Sequence, residues 1–196
     1  MEPTKFTTKR NIKGLHQRFP DAVFYDTSRS GSAAMDYDFV TSAVEFCPFT
    51  RYGNIPVPGM DQFSDTVEGV WQGLKIIKGK TDPRYFKGKG RARYGRVQGH
   101  LFGDKKLSYV EAREKIYVPS YEFMIHNCVP TESLEKMFEL AKKGIPQFFF
   151  DVDENGDIHN TKSPLAHSAV LVEILNRELL DNGLSRYSCG ADSARR

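Results

Sequence analysis

Glu68, Trp71, Gln72 and Lys75, in the run TVEGVWQGLK, have the 3, 4, 7 spacing of one helix face. A carboxylate held beside an indole is partly desolvated, which lifts its pKa towards the range useful for proton transfer. Glu68 is therefore the first candidate for a catalytic group. Asp65 and Glu68 also have capping-box spacing. On that alternative Glu68 only satisfies the start of its helix, and spacing alone favours the cap.

From Lys75 to Arg96, nine lysines and arginines face a single acid, Asp82. Arginine forks such as those of Arg91, Arg93 and Arg96 fit phosphate bidentately. Gly79, Gly88, Gly90 and Gly95 let the backbone come close to a ligand, and Tyr85, Phe86 and Tyr94 offer rings for a base to stack on. The expected role is anion binding; the alternative is a solvated, mobile charge run. GKGRARYG is no P-loop, because the Walker spacing and its Lys-Ser/Thr end are missing.

A third group, Asp151, Asp153 and Asp157, lies in DVDENGD. It matches the front of a calcium loop, but Lys162 stands where the bidentate Glu belongs. Asp151 or Asp153 is expected either to line a site at a strand end or to sit exposed on a hairpin turn. The five histidines, His16, His100, His126, His159 and His167, show no metal spacing and read as surface or satisfied core residues. Ser28, Ser30 and Ser32 lack a nucleophile-elbow context.

The elements that must position these groups are mostly helices. Val67, Val70, Trp71, Leu74 and Ile77 predict one helix. Ser108 and Glu111 cap a second, which Pro119 ends or restarts. Thr131 caps a third, with Leu134, Met137, Phe138 and Ala141 inward and Gly144 as its stop. Ser163 and Pro164 open a fourth, running to about Leu180 and closed by Gly183. Strands are expected at Ala22 to Tyr25, Phe39 to Phe49 and along QFFF, the last turning sharply at Glu154, Asn155 and Gly156. The fold class is α+β, a helix-rich single domain with a few short strands. Residues 1–20 read as a basic N-terminal extension, 21–185 as the globular domain and 186–196 as a flexible C-terminal tail. The stretch 27–34 reads as a flexible loop.

The chain has 196 residues, 39% of them hydrophobic, enough to bury a core. With 28 basic and 25 acidic residues its net charge is only +3, so any polyanion binding must come from clustering. Three scattered cysteines, an odd count, point to a reducing, cytoplasmic setting. No apolar run approaches the roughly 20 residues of a membrane span, and MEPTKFTTKR lacks a signal-peptide core.

The order CPFTRYGNIPVPG, TVEGVWQGLK, DPRYFKGKGRARYGR resembles the NADAR (YbiA-like) family. The likeness continues through SYVEAREKIYVPSYEFMIHNCV, IPQFFFDVDENGD and SPLAHSAVLVEILNREL, so it spans roughly residues 43 to 180. That family's members are N-glycosidases that cleave the C–N bond to ribose in riboflavin-pathway intermediates or ADP-ribosylated bases. The resemblance implies a YbiA-like architecture and an enzyme that hydrolyses a ribosyl nucleotide or ADP-ribosyl group without a cofactor. It makes Glu68 the helix glutamate, Trp71 its aromatic, Lys75 its lysine, Arg96 the late arginine, and Asp151 or Asp153 the late acid. Two departures stand out: Gly69 replaces the family's histidine, and its late tryptophan is absent, since Trp71 is the only one. They point to a changed substrate or to lost catalysis.

The expected catalytic set is Glu68, Asp151 and Asp153, with Trp71, Gln72, Lys75, Arg91, Arg93 and Arg96 binding substrate and no metal. The expected partner is a nucleotide-like small molecule or an ADP-ribosylated base. The alternative is a non-catalytic protein that binds nucleotide or nucleic acid through the 75–96 loop. No membrane partner is expected.

Overall fold

The computed structural model describes residues 3–29 and 37–181. Its centre is a four-stranded parallel sheet in the order β1 (Thr4–Phe6), β9 (Gln147–Phe150), β2 (Val23–Asp26), β3 (Val40–Ser42). Parallel strands are buried on both faces, so their sequences read as continuous apolar runs; β9, QFFF, is buried throughout. Phe148 and Phe150 pack with Phe24 and with Ile12 of α1 (Ile12–Arg18). Phe149 points the other way and stacks on Tyr25 at 4.9 Å, inside the main core. Truncating so enclosed a ring costs about 3–5 kcal/mol.

This arrangement corrects the reading of residues 1–20 as an extension. Thr4–Phe6 is an edge strand paired with β9, and Ile12 is wholly buried. The strand expected from Phe39 to Phe49 shrinks to β3, followed by a 3-10 turn at Val44–Phe46. No hairpin follows β9, because its sheet neighbours β1 and β2 both run parallel to it. The chain instead loops to α6 (His167–Asp181), which begins later than Ser163. The expected Gly183 stop, Cys189, residues 30–34 of the flexible loop and the 186–196 tail lie outside the described residues.

Two short antiparallel pieces flank this core. One pairs β4 (Ile55–Pro56) with β5 (Phe63–Ser64). The other is the sheet β6 (Lys75–Ile77), β7 (Val97–Phe102), β8 (Lys105–Leu107). Helix α2 (Val67–Leu74) stops short of Ile77 because Lys75–Ile77 joins that sheet. α3 (Tyr109–Ala112) starts with the expected capping box of Ser108 and Glu111. It continues through a π turn, Arg113–Tyr117, into α4 (Val118–Asn127). Pro119 therefore restarts a helical run: it sits in the first turn of α4, where a missing N–H costs least. α5 (Thr131–Lys142) has Pro130, not Thr131, at its cap position, and Gly144 with φ of 72° follows its end. The molecule is α+β.

Among the described residues no helix is long and apolar enough to cross a membrane. Cys47 and Cys128 carry free thiols.

Candidate active site

Helix α2 is capped in a way that frees Glu68. Thr66 is its N-cap, and its hydroxyl accepts from Gly69 N at 2.8 Å. The Glu68 N–H goes to the Pro48 carbonyl at 3.0 Å. Asp65 works elsewhere, accepting from Gly88 N at 2.7 Å and pairing with Arg51 at 3.1 Å. The capping-box role expected for Asp65 and Glu68 is thus replaced, and the Glu68 carboxyl has no duty at the helix start.

It lines a cavity of about 260 Å³ together with Trp71, Gln72, Lys75 and Asp153. That lies just below the usual range for ligand pockets, roughly 300–1,000 Å³. Glu68 is 9% exposed, and its pKa is pushed up to about 7. Burial is the largest cause; the hydrogen bond from Gln72 and the charge of Lys75 oppose it, and Asp153 adds a further push upward. Gln72 donates to Glu68 Oε1 at 2.5 Å and accepts from Lys75 Nζ at 2.8 Å, so the helix face forms a chain of acid, amide and amine. Burial draws the Lys75 pKa down, partly offset by Glu68. Trp71 gives its indole to a wall. His100 stacks on it at 3.9 Å, and Tyr109 and Tyr117 meet it edge-on. His100 is fully buried and its pKa falls to about 3 through burial and the charge of Lys75, so it is a neutral, flat spacer.

The opposite wall comes from the carboxyl ends of the parallel strands, where crevices in such sheets form. Asp151 directly follows β9 and Thr27 follows β2; His167, at the start of α6, joins them. Its Nδ1 lies 3.0 Å from Asp151 Oδ2. Its Nε2 lies 2.9 Å from both the hydroxyl and the carbonyl oxygen of Thr27. A carbonyl only accepts, so Nε2 is the donor there. Asp151 also accepts from Ser168 N, Ser168 Oγ and Asp153 N. Its carboxylate is spent on holding the strand end, the loop and the helix start together, and it does not line the cavity. Asp151 is a positioning residue, not the catalytic acid expected. Asp153 does line the cavity, and no protein donor among the described residues holds its carboxyl. Burial raises its pKa, with Asp151 adding to the rise and His167 opposing it. Asp157 is exposed, in a loop turn.

The arginines fall elsewhere. Arg93 donates to the carbonyls of Lys75 and Lys80. Arg91 lies over the Tyr85 ring at 4.7 Å, and Arg96 is exposed. None of the three lines the cavity, so the substrate-binding place expected for them is not at this site. Nor does the loop float. Gly69 and Gly73 let it press on α2, because a Cβ at Gly69 would come within 2.8 Å of Tyr85 O and one at Gly73 within 2.2 Å of the Phe86 ring. A histidine at position 69 would have no room here. Gly90 packs likewise against Glu68 and Phe49.

The guanidinium beside the cavity belongs to Arg113, which is 1% exposed and donates to the carbonyls of Ile158, Asn160 and Ser163. Arg113, Tyr117 and His167 were not singled out from the sequence. Tyr109, Arg113 and Tyr117 recur every fourth residue, a stripe that could have marked a wall. His167 left no signal, since its partners are 16 and 140 residues away.

A family model described as "Family of unknown function (DUF6939)" matches residues 7–171. The chain belongs to that family. The matched segment contains every DUF6939 residue named in this cavity, from both walls. Among curated proteins and among solved structures, none matches the chain. Among the described residues, no group of His, Cys, Asp or Glu is gathered as a metal ion would need.

Proposed function

We propose that this protein is an N-glycosidase that hydrolyses the C–N bond of a ribosyl nucleotide or ADP-ribosyl-type substrate. The observation that carries the reading is Glu68, a carboxyl buried in a cavity with its pKa near 7 and freed from capping. Burial raises the pKa of both acids in this small site, that of Glu68 to about 7, and the two can share the work as acid and base. Glu68 is then the protonated acid that meets the departing base nitrogen. Asp153 supplies the second carboxyl, which steadies oxocarbenium character and orients the attacking water. Gln72 and Lys75 hold Glu68 in place, and the aromatic wall of Trp71 and Tyr109 encloses the base. The resemblance to the NADAR family makes Glu68 that family's helix glutamate, and the steric reason for Gly69 separates that histidine's loss from the fate of the carboxylate. A reducing, cytoplasmic setting accords with the free thiols.

Glu68→Gln should fold, retain ligand and lose turnover by about 10²–10⁴-fold, measured as free base and sugar released from a panel of N-ribosyl compounds. Undiminished turnover in that variant ends the proposal.

A second reading, a nucleic-acid binding protein without catalysis, has one observation in its favour. Tyr94 is 89% exposed among the outward cations Lys87, Lys89, Arg91 and Arg96. It requires binding to single strands that weakens steeply with salt and is indifferent to Glu68→Gln.

A further inference from the structure

The polar atoms of the cavity divide into those already bonded and those left over. Arg113 is bonded to three carbonyls, His167 to Asp151 and Thr27, and Gln72 to Glu68, Lys75 and the Arg93 N–H. Three residues are not. The Asp153 carboxyl and the hydroxyls of Tyr109 and Tyr117 have no hydrogen-bond partner among the described residues, yet all three side chains line the cavity, and of the two phenols Tyr117 is the buried one. Tyr117 is 9% exposed. Its stacked neighbour Tyr121, parallel at 6.1 Å, shows what a satisfied buried phenol looks like: it donates to Phe46 O at 2.6 Å. A buried hydroxyl without a partner forfeits the free energy of a hydrogen bond unless water or ligand supplies one.

The buried phenol of Tyr117 and the carboxyl of Asp153 make one neutral donor and one acceptor. Burial, with Glu68, Asp151 and other acids nearby, holds the Tyr117 pKa well above its usual value, so the phenol keeps its proton. A ligand that satisfies both groups must accept at one point and donate at a neighbouring one. Adjacent hydroxyls on a sugar ring do this, since each can give and take a hydrogen bond. A phosphate ester dianion cannot, because it only accepts and would face an unpaired carboxylate.

We infer that Tyr117 and Asp153 are the sugar-reading pair of the cavity, gripping the vicinal hydroxyls of a furanose so that the site takes ribosyl and refuses deoxyribosyl ligands. This rests on the N-glycosidase reading and adds the sugar specificity to it.

Trp71, the only tryptophan of the chain, reports on the site by its fluorescence, since the Tyr117 ring lies 5.6 Å from it. The experiment titrates wild-type protein and Tyr117→Phe with ribose phosphate and with deoxyribose phosphate. Wild type should prefer ribose phosphate by about 10-fold, and Tyr117→Phe should reduce the preference to about twofold or less. The preference is a ratio within one folded protein, so a general loss of stability does not imitate it. Should the phenylalanine variant fail to fold, Asp153→Asn provides the same comparison with the same expected loss. A wild type that binds neither sugar phosphate, a wild type without preference, or a variant that keeps it overturns the inference. Turnover lost on Glu68→Gln in any of those cases would leave the hydrolase standing. Sugar preference with turnover indifferent to Glu68 would do the reverse.

Discussion

The acids at 68 and 153 and the cations from 84 to 96 are both dense in charge, and only the acids face the cavity. What differs is the element that carries them. Glu68 rides on a helix whose residues are all buried, and Asp153 follows a strand with no exposed face. Burying those neighbours takes the carboxyls along, and the cost of desolvation appears as raised pKa values. The cations belong to a loop that touches the core through Phe86 and two glycine contacts, so their side chains settle on local partners or solvent. Asp82 binds Arg84 at 2.8 Å, Tyr85 lies under Arg91, and carbonyls hold Arg93. Charge enters an interior when apolar neighbours drag it there, and its abundance in sequence says little about that.

The sharpest way to break this comparison is to attack the buried anchor of the acidic wall. Asp151→Asn removes one partner of an enclosed pair with His167 and weakens three further hydrogen bonds. A loss of about 3–5 kcal/mol of folding stability is expected in urea unfolding. A change below about 1 kcal/mol would mean that this wall is not held by its carboxylate.

How much of this could be read beforehand follows the same division. The face Glu68, Trp71, Gln72, Lys75 was legible, because helical period survives packing. The end of α2 was not: Ile77 fits the period but belongs to a sheet whose other strands lie 20 or more residues on. The strand Thr4–Phe6 was hidden for a similar reason, since three residues among polar neighbours carry no pattern until β9 lies beside them. The roles of Asp151 and Asp153 could not be separated by spacing. They differ in what each carboxyl meets, and those partners come from α6.

A second test sharpens the comparison by pH. The Glu68 carboxyl has its pKa raised from 4.5 to about 7 in the fold, so folding favours its protonated form. That contribution is complete below the unfolded value and is lost as pH rises through the folded one. Wild type should therefore fall behind Glu68→Gln by about 3 kcal/mol between about pH 5 and pH 8. Glutamine keeps the shape without the charge, which makes this the usual exchange of stability for activity. Parallel pH profiles for the two proteins in chemical unfolding would show that the carboxyl is not desolvated.

The smallest effect is expected from the loop. Arg96 is exposed and makes no hydrogen bond or ion pair among the described residues. Its side chain has a solvated charge to lose and no contact, so Arg96→Ala should change stability by less than about 0.5 kcal/mol. Ribose phosphate binding, followed through Trp71, should stay within about twofold. Binding to single-stranded nucleic acid is the measurement that would move, because each cation removed from an outward face lowers the salt slope by about one. If instead the sugar phosphate lost tenfold in affinity while the salt slope stayed put, the loop would have to fold over the cavity when ligand is present. The inward acids and the outward cations would then be parts of one closing site.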